Sequence, residues 1–361
     1  MTSRILVFPA GMPRSLTFAE RAKEEGQWII GSSSLKFDPT RKLYHNWTYL
    51  PYISSDDFDE ALRAAIQEHQ IDGIYTPNPV VWNYLNKKIQ DISAGVALIN
   101  PSPVSSETAP YQKAIRFAEN LLESPLNLSS PLESMAAISA LEIAALFHHA
   151  DAIPGMCDID KIFALCSLFR YCPKGDVVEI GSWWGKSAFV LSRLSICYGI
   201  GKLLCVDPWS NFDLIQNDNK GLVDSVPVDA EEALRIFQIN LLPYGQNRLN
   251  YLRYTSVEGA KIYRECTEIT TDTFGSTKYV GKIAILHIDG NHSYDAVKSD
   301  IEAWAGLVIP GGWIILDDYT WPYGDGPKRA GDELLAINWP NISCSFFMGG
   351  ALFIQLSGAA C

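Results

Sequence analysis

The second half of the chain alternates short apolar runs with amphipathic segments, and this pattern restricts the fold more than any other feature. Apolar runs with the length of buried strands occur at 177–180, 203–206, 249–254, 283–288 and 313–316. Helical periodicity is found around them at 159–169, 186–195, 229–241, 294–304 and 331–337. The alternation predicts an α/β domain with a doubly wound parallel sheet. Two later apolar runs flank Gly349 and Gly350 and predict a hairpin.

The first hundred residues show a smaller α/β alternation. Strands are predicted at 5–8, 28–31, 73–76 and 96–100, and helices at 15–25 and 56–70. Beyond them, Pro and Ser cluster and two helical patterns follow, at 111–122 and 132–149. We therefore predict two α/β domains joined by a helical connector, with a small Rossmann-like parallel sheet in 1–104, the connector in 105–157 and the doubly wound domain in 158–361.

Length, composition and net charge indicate which class of protein and which partners to expect. A chain of 361 residues exceeds one ordinary core, and 47% hydrophobic with 19% charged residues is typical of globular domains. Because the net charge is -12, we expect neither nucleic acid nor an anionic membrane as a partner. No apolar stretch reaches the ~18 residues of a membrane span. Eight cysteines without a C-x-x-C pair predict free thiols and a cytoplasmic location.

A glycine-rich turn follows the first strand of the second half. It runs from Glu179 to Ser187 as Glu-Ile-Gly-Ser-Trp-Trp-Gly-Lys-Ser. Its glycines allow a tight turn and a close approach to a ligand, and the next helix offers free N–H groups to an anion. A P-loop needs four residues between its first glycine and Gly-Lys-Ser, whereas three separate Gly181 from Gly185. A P-loop is therefore disfavoured, and a plain strand–turn–helix junction stays open as an alternative.

A carboxylate also ends the second strand of this domain. Asp207 lies 28 residues after Glu179 and begins the sequence Asp-Pro-Trp. At the carboxyl end of a parallel strand, such an acid is placed to accept hydrogen bonds from both hydroxyls of a ribose. The alternative is an Asp that only begins a turn.

Three further carboxylates follow two neighbouring strands, Asp289 after one and Asp317 with Asp318 after the other. Carboxyl ends of parallel strands share one edge, so these groups should converge and repel one another unless protons, basic side chains or a cation neutralise them. Oxygen ligands suit Mg²⁺ or another divalent cation. The alternatives are a helix cap at Asp289 and a turn at Asp317 and Asp318. His292 is the candidate general base, since an imidazole titrates near neutral pH.

Four motifs together resemble one enzyme family. They are Glu-Ile-Gly-Ser with Gly-Lys-Ser, then Val-Asp-Pro-Trp, His-Ile-Asp-Gly-Asn-His-Ser-Tyr-Asp and Pro-Gly-Gly-Trp-Ile-Ile-Leu-Asp-Asp-Tyr, in this order. They resemble class I methyltransferases that use S-adenosylmethionine (SAM), in particular the metal-dependent sugar O-methyltransferases of the macrocin type, over about residues 155–357. The resemblance implies a seven-stranded sheet with an antiparallel strand from the final hairpin.

The resemblance also implies roles for residues. Asp289, Asp317 and Asp318 would bind Mg²⁺. SAM would be held by the glycine-rich turn and two acids, namely Gly181, Ser182, Gly185, Ser187, Glu179 and Asp207. His292 would match the base of members that use histidine. Other members carry an acidic base two residues after the first metal ligand, where this chain has Asn291.

The resemblance therefore predicts SAM- and Mg²⁺-dependent O-methylation of a sugar-bearing or other small acceptor, so the expected partner is a small-molecule or glycosylated acceptor. Self-association is left open. The first hundred residues faintly resemble the Rossmann-like domain that precedes ATP-grasp folds, and their role is unknown. Two alternatives stay open: a non-catalytic SAM-binding module, and a nucleotide-dependent enzyme that uses the N-terminal domain.

Overall fold

The computed structural model describes residues 3–216, 220–338 and 341–357. The chain forms two compact units, residues 1–112 and 113–361. The division lies inside the predicted connector, and residues 113–157 belong with the second unit.

The first unit is built on a parallel sheet. Its strands are β1 (Arg4–Val7), β2 (Trp28–Ser33), β3 (Asn46–Tyr49), β4 (Gly73–Tyr75) and β5 (Ala97–Leu98). They are ordered β3-β2-β1-β4-β5, and every neighbouring pair is parallel. The predicted Rossmann-like sheet is thereby confirmed.

Helices α1 (Pro13–Glu24), α2 (Phe58–His69) and α3 (Pro79–Ile92) connect these strands. In α2 the side chains of Phe58, Leu62 and Ile66 are buried, as the helical periodicity predicts. Neither α3 nor β3 is among the predicted elements. The start of α3 is set by Asn78, whose side chain accepts hydrogen bonds from two backbone N–H groups, and by a proline in the first position.

The connector is helical in two stretches, α4 (Pro103–Glu123) and α5 (Ala140–Ala152). The prediction of one helix over 132–149 is wrong in its first part, since residues 132–139 are not helical. Ser139 and Glu142 explain the later start, because they form a capping box in which each side chain binds the backbone N–H of the other.

The second unit contains a seven-stranded sheet. Its strands are β6 (Asp176–Ile180), β7 (Leu203–Val206), β8 (Leu249–Leu252), β11 (Ile283–Ile288), β12 (Val308–Leu316), β13 (Ile342–Met348) and β14 (Ala351–Leu356), and β9 (Glu268–Thr271) with β10 (Gly275–Lys278) forms a separate hairpin. The order is β13-β14-β12-β11-β6-β7-β8. Only β14 runs against its neighbours β12 and β13. This topology is the one that the sequence resemblance implies.

Helices cover both faces of this sheet. They are α6 (Ile159–Leu168), α7 (Lys186–Tyr198), α8 (Ala230–Gly245), α9 (Ser256–Glu265), α10 (Tyr294–Trp304) and α11 (Gly326–Asn338). Alternate strand residues divide between two cores, so that Val177 packs in one and Val178 in the other. The predicted hairpin is confirmed, and both Gly349 and Gly350 have the positive φ of a tight two-residue turn.

Two composition-based expectations concern cysteines and membranes. The seven cysteines within the described residues are all free thiols, and Cys266 is exposed. In the part of the chain that the structure describes, no helix combines the length and apolarity needed to cross a bilayer.

Candidate functional site

The candidate site lies where three parallel strands end at one edge of the seven-stranded sheet. The strand register pairs Ile288 with Ile180 of β6 and with Leu316 of β12. The next residues, Gly181, Asp289 and Asp317, therefore leave the sheet side by side. Because the three strands end at the same level, the predicted cofactor turn and the predicted metal ligands lie close together.

The glycine-rich turn packs tightly against the loop after β11. Gly181 has a φ of +77°, and a Cβ on it would lie 2.1 Å from the backbone oxygen of Asp289. Gly185 also has a positive φ and forms the N-cap of α7, so Ser187 lies buried in the first helical turn. Both glycines are therefore required by the backbone path, in agreement with their predicted role in a tight turn.

Asp207 supports this turn through its carboxylate. Its Oδ2 accepts hydrogen bonds from the backbone N–H groups of Ser182 and Trp183, at 2.9 and 3.0 Å. Its Oδ1 accepts one from Trp209, at 2.8 Å. Burial raises the pKa of Asp207 despite these bonds. Oδ1 can accept one further hydrogen bond, whereas Oδ2 already accepts two. The contact with a ribose stays a prediction.

Glu179 lies behind the turn, with its side chain fully buried. One oxygen accepts a hydrogen bond from the Ser182 hydroxyl at 2.6 Å, and the other lies 3.1 Å from Nδ1 of His287. Glu179 is thus positioned to fix Ser182 rather than to face the open edge. Its role toward a cofactor stays a prediction.

Two residues of the site were not predicted from the sequence, His287 and Lys161. His287 is fully buried in β11, and its Nε2 lies 3.5 Å from Oδ2 of Asp317. Burial alone would lower its pKa, but its contacts with Asp317 and Glu179 raise the pKa of His287 to about 9. The only sequence signal was a histidine within an apolar strand.

Lys161 enters the site from the first turn of α6. Its ammonium donates a hydrogen bond to Oδ2 of Asp317 and lies 3.8 Å from Oδ2 of Asp289. Burial by itself would raise the pKa of Asp317, but the charge of Lys161 and then His287 hold it well below its usual value. Burial and the neighbouring Asp317 raise the pKa of Asp289.

The open side of the cluster contains Asp289, His292 and Asp318. The Nε2 atom of His292 lies 2.7 Å from Oδ2 of Asp318. The backbone N–H of His292 donates to Oε1 of Gln216 at 2.9 Å, and its Nδ1 lies 2.8 Å from the same oxygen. Since that oxygen can only accept, Nδ1 carries the proton, and Nε2 faces the carboxylates.

The residues on this open side fit a hard divalent cation. The ligand atoms of Asp289, His292 and Asp318 lie within 4.8 Å of one another, and so do those of His287, Asp289 and Asp317. In the second group the Lys161 ammonium already contacts Asp317. In the first, Nε2 of His292 is buried without a hydrogen bond, although Asp318 is close. The carboxylate oxygens of Asp289 and Asp318 are hard donors that suit Mg²⁺ or Mn²⁺, and Nε2 of His292 lies beside them.

Comparison with known proteins matches part of the chain to one family. Residues 178–319 match a family described as a methyltransferase domain. The match and the strand order confirm the class I, SAM-dependent methyltransferase domain that the sequence resemblance implies. No curated protein shows significant sequence similarity to the chain.

Several solved methyltransferases show a distant likeness to the chain at low identity. The O-methyltransferase NovP is 14% identical, over 69% of this chain and 99% of its own, with a TM-score of 0.37. The calicheamicin methyltransferase CalS11 is 16% identical, over 71% and 94%, with a TM-score of 0.39. MycE, from mycinamycin biosynthesis, is 17% identical, over 51% and 45%, with a TM-score of 0.32. At these scores the likeness is distant.

The close approach at Gly181 is testable by the variant Gly181→Ala. The added methyl group would push the turn away from Asp289. We expect loss of S-adenosylhomocysteine (SAH) binding in calorimetry, and about 1–3 kcal/mol more destabilisation in urea than in the control below.

The matched control is Gly275→Ala, in the turn between β9 and β10. Gly275 has a similar φ of +68° but nothing within 4 Å of an added Cβ, so this variant carries only the backbone strain, about 1–2 kcal/mol. Unchanged SAH affinity in Gly181→Ala would contradict the geometry described for the turn.

Proposed function

We propose that this protein transfers the methyl group of SAM to a hydroxyl of a small, sugar-bearing acceptor, with the help of a divalent cation. The observation that carries the proposal is the convergence of the glycine-rich turn, three carboxylates and His292 at one edge of a class I sheet. The proposal thus assigns the cofactor site and the acid–base site to adjacent loops.

The turn after β6 supplies the cofactor site in this proposal. Gly181 lets the backbone approach SAM, Ser182 is fixed by Glu179, and the N-terminus of α7 offers free N–H groups. Asp207 fixes the turn through three backbone hydrogen bonds, and its Oδ1 can accept one more, from a ribose hydroxyl. Gly185 and Ser187 shape the entry into the helix.

Asp289, Asp317 and Asp318 are the proposed cation ligands. Asp289 and Asp318 are the more accessible pair, with 24% and 33% of their side chains exposed against 6% for Asp317. A divalent cation held there would lower the pKa of an acceptor hydroxyl and orient it. The carboxylates fix where the hydroxyl lies relative to the methyl donor, and this alignment contributes much of the acceleration.

His292 is the proposed general base. Nδ1 donates to Gln216, so Nε2 is the ring nitrogen that would take the proton of the acceptor hydroxyl. The imidazolium formed would be stabilised by Asp318, whose Oδ2 lies 2.7 Å from Nε2. Gln216 therefore fixes the tautomer and Asp318 stabilises the product of proton transfer.

Aromatic side chains beside His292 support a sugar-bearing acceptor. Trp321 stacks on the His292 ring with the centroids 4.7 Å apart, and Tyr323 lies edge-on to Trp321. Both belong to the segment that follows the Asp317–Asp318 pair. Flat apolar faces beside carboxylates suit a ring that carries hydroxyls, which is the acceptor class that the sequence resemblance implies.

The cation site is tested by the variants Asp289→Asn and Asp318→Asn, with the exposed Asp272→Asn as control. We expect each site variant to weaken Mn²⁺ binding at least about tenfold, since even residues that only support metal ligands have effects of that size. SAH binding should persist. Calorimetry measures both ligands, and full methyl transfer by the wild-type protein in the presence of a chelator would contradict a role for the cation.

The base is tested by His292→Ala, with the exposed His149→Ala of α5 as control. Label transfer from radiolabelled SAM to a panel of sugars and glycosides would first identify an acceptor. Turnover of His292→Ala should then fall by roughly 10²–10⁴, with SAH affinity preserved. An unchanged rate would remove His292 from this role, and SAH binding without transfer to any acceptor would favour a non-catalytic module.

A further inference from the structure

We propose that Lys161 is the resident counter-cation of the acidic cluster, and that it competes with a divalent ion for Asp317 and so sets the affinity of the site for that ion. The inference rests on the proposed cation site. It concerns a residue that neither the family match nor the predicted ligand set includes.

The position of Lys161 is fixed by its surroundings. It lies in the first turn of α6, where its backbone N–H donates to Oδ1 of Asp158 at 2.7 Å. The turn of the final hairpin packs on it, since a Cβ on Gly349 would lie 2.4 Å from that nitrogen. Of the lysines that the structure describes, only Lys161 is buried, with 3% of its surface exposed. Burial of an ammonium is unfavourable unless a partner compensates it.

The partner of Lys161 is the innermost carboxylate of the cluster. Its ammonium contacts Oδ2 of Asp317, and the other oxygen of Asp317 accepts the backbone N–H of Asp318 at 2.9 Å. Both oxygens of Asp317 are therefore engaged. Asp289 lies 3.8 Å from the ammonium, beyond hydrogen-bond distance, and its carboxylate reaches the open side.

The charges of the cluster match this arrangement. When all three are ionised, Asp289, Asp317 and Asp318 carry three negative charges, and the ammonium of Lys161 neutralises one of them. Two negative charges remain, and one divalent cation would balance them. An ion that entered from the open side would meet Asp289 and Asp318 first, and it would compete with the ammonium for Asp317.

Lys161→Met and Lys161→Gln in the full chain test the inference. Both remove the charge, and Gln keeps a hydrogen-bond donor for Asp317. Without the competing ammonium, the dissociation constant for Mn²⁺ should fall at least about tenfold, because a unit charge about 4 Å from a carboxylate is a strong competitor in a buried site. Calorimetry or the electron paramagnetic resonance of free Mn²⁺ measures this constant without any turnover.

The matched control is Lys174→Met. The ammonium of Lys174 donates to the backbone oxygens of Tyr198 and Gly199, at 2.9 and 2.6 Å, and contacts no carboxylate of the cluster. Its removal should leave Mn²⁺ affinity unchanged. Equal tightening in this control would assign the effect to overall charge and overturn the inference.

Thermal unfolding provides the second readout. The neutral variants should melt below the wild type without metal and gain more stability than the wild type from Mn²⁺, because the ion replaces the missing charge. If neither variant folds alone, recovery on adding Mn²⁺ supports the inference and failure to recover overturns it. Unchanged or weaker Mn²⁺ binding in the folded variants also overturns it.

The outcomes separate this inference from the proposed function. Mn²⁺ binding that depends on Asp289 but is unaffected by the Lys161 variants would refute only the role of Lys161. Mn²⁺ binding that appears only in the Lys161 variants would support the resident counter-cation and refute a cation requirement in the wild-type enzyme.

Discussion

The burial of negative charge at the carboxyl edge of one sheet is the constraint on which the rest of the site depends. Five carboxylates gather there, on Glu179, Asp207, Asp289, Asp317 and Asp318. Buried carboxylates are unfavourable unless hydrogen bonds or opposite charges compensate them. Each inner carboxylate has such a partner: three backbone N–H groups for Asp207, Ser182 and His287 for Glu179, and Lys161 for Asp317.

The carboxylates inside the site and those on its open side differ in how far their charge is compensated. The inner carboxylates are paired with groups of the chain itself, whereas Asp289 and Asp318 keep exposed surface and face His292. Uncompensated charge therefore remains only where a ligand can enter. The inner hydrogen bonds also fix the glycine-rich turn, so the cofactor site and the cation site share the same supports.

The sequence indicated which residues meet at this edge of the sheet, because each strand end, glycine turn and acidic motif can be recognised within a short stretch of the chain. Strand ends, glycines and acids occur in order along the chain, and the carboxyl ends of parallel strands must lie at one edge, so Gly181, Asp289 and Asp317 could be placed together. The parallel α/β character of both sheets follows from the same alternation, whereas the seven strands with one antiparallel strand were implied by the family resemblance. The tight packing of Gly181 against Asp289 is the structural reason for a glycine that the sequence only indicated.

The parts that were missed depend on contacts between distant residues. Lys161 precedes its partner Asp317 by 156 positions and lies on a helix that otherwise reads as apolar. The hairpin of β9 and β10 has mostly polar residues and lacks the apolar run that marks a strand. The helix predicted over 132–149 was extended too far toward the N-terminus, because its periodicity continued past the capping box at Ser139.

A crystal structure with bound SAH and Mn²⁺ tests the central claim most directly. The account predicts an anomalous peak for the metal between Asp289 and Asp318, with SAH on the glycine-rich turn and its sulfur toward the metal. A peak elsewhere, or a turn too closed to admit SAH, would contradict it.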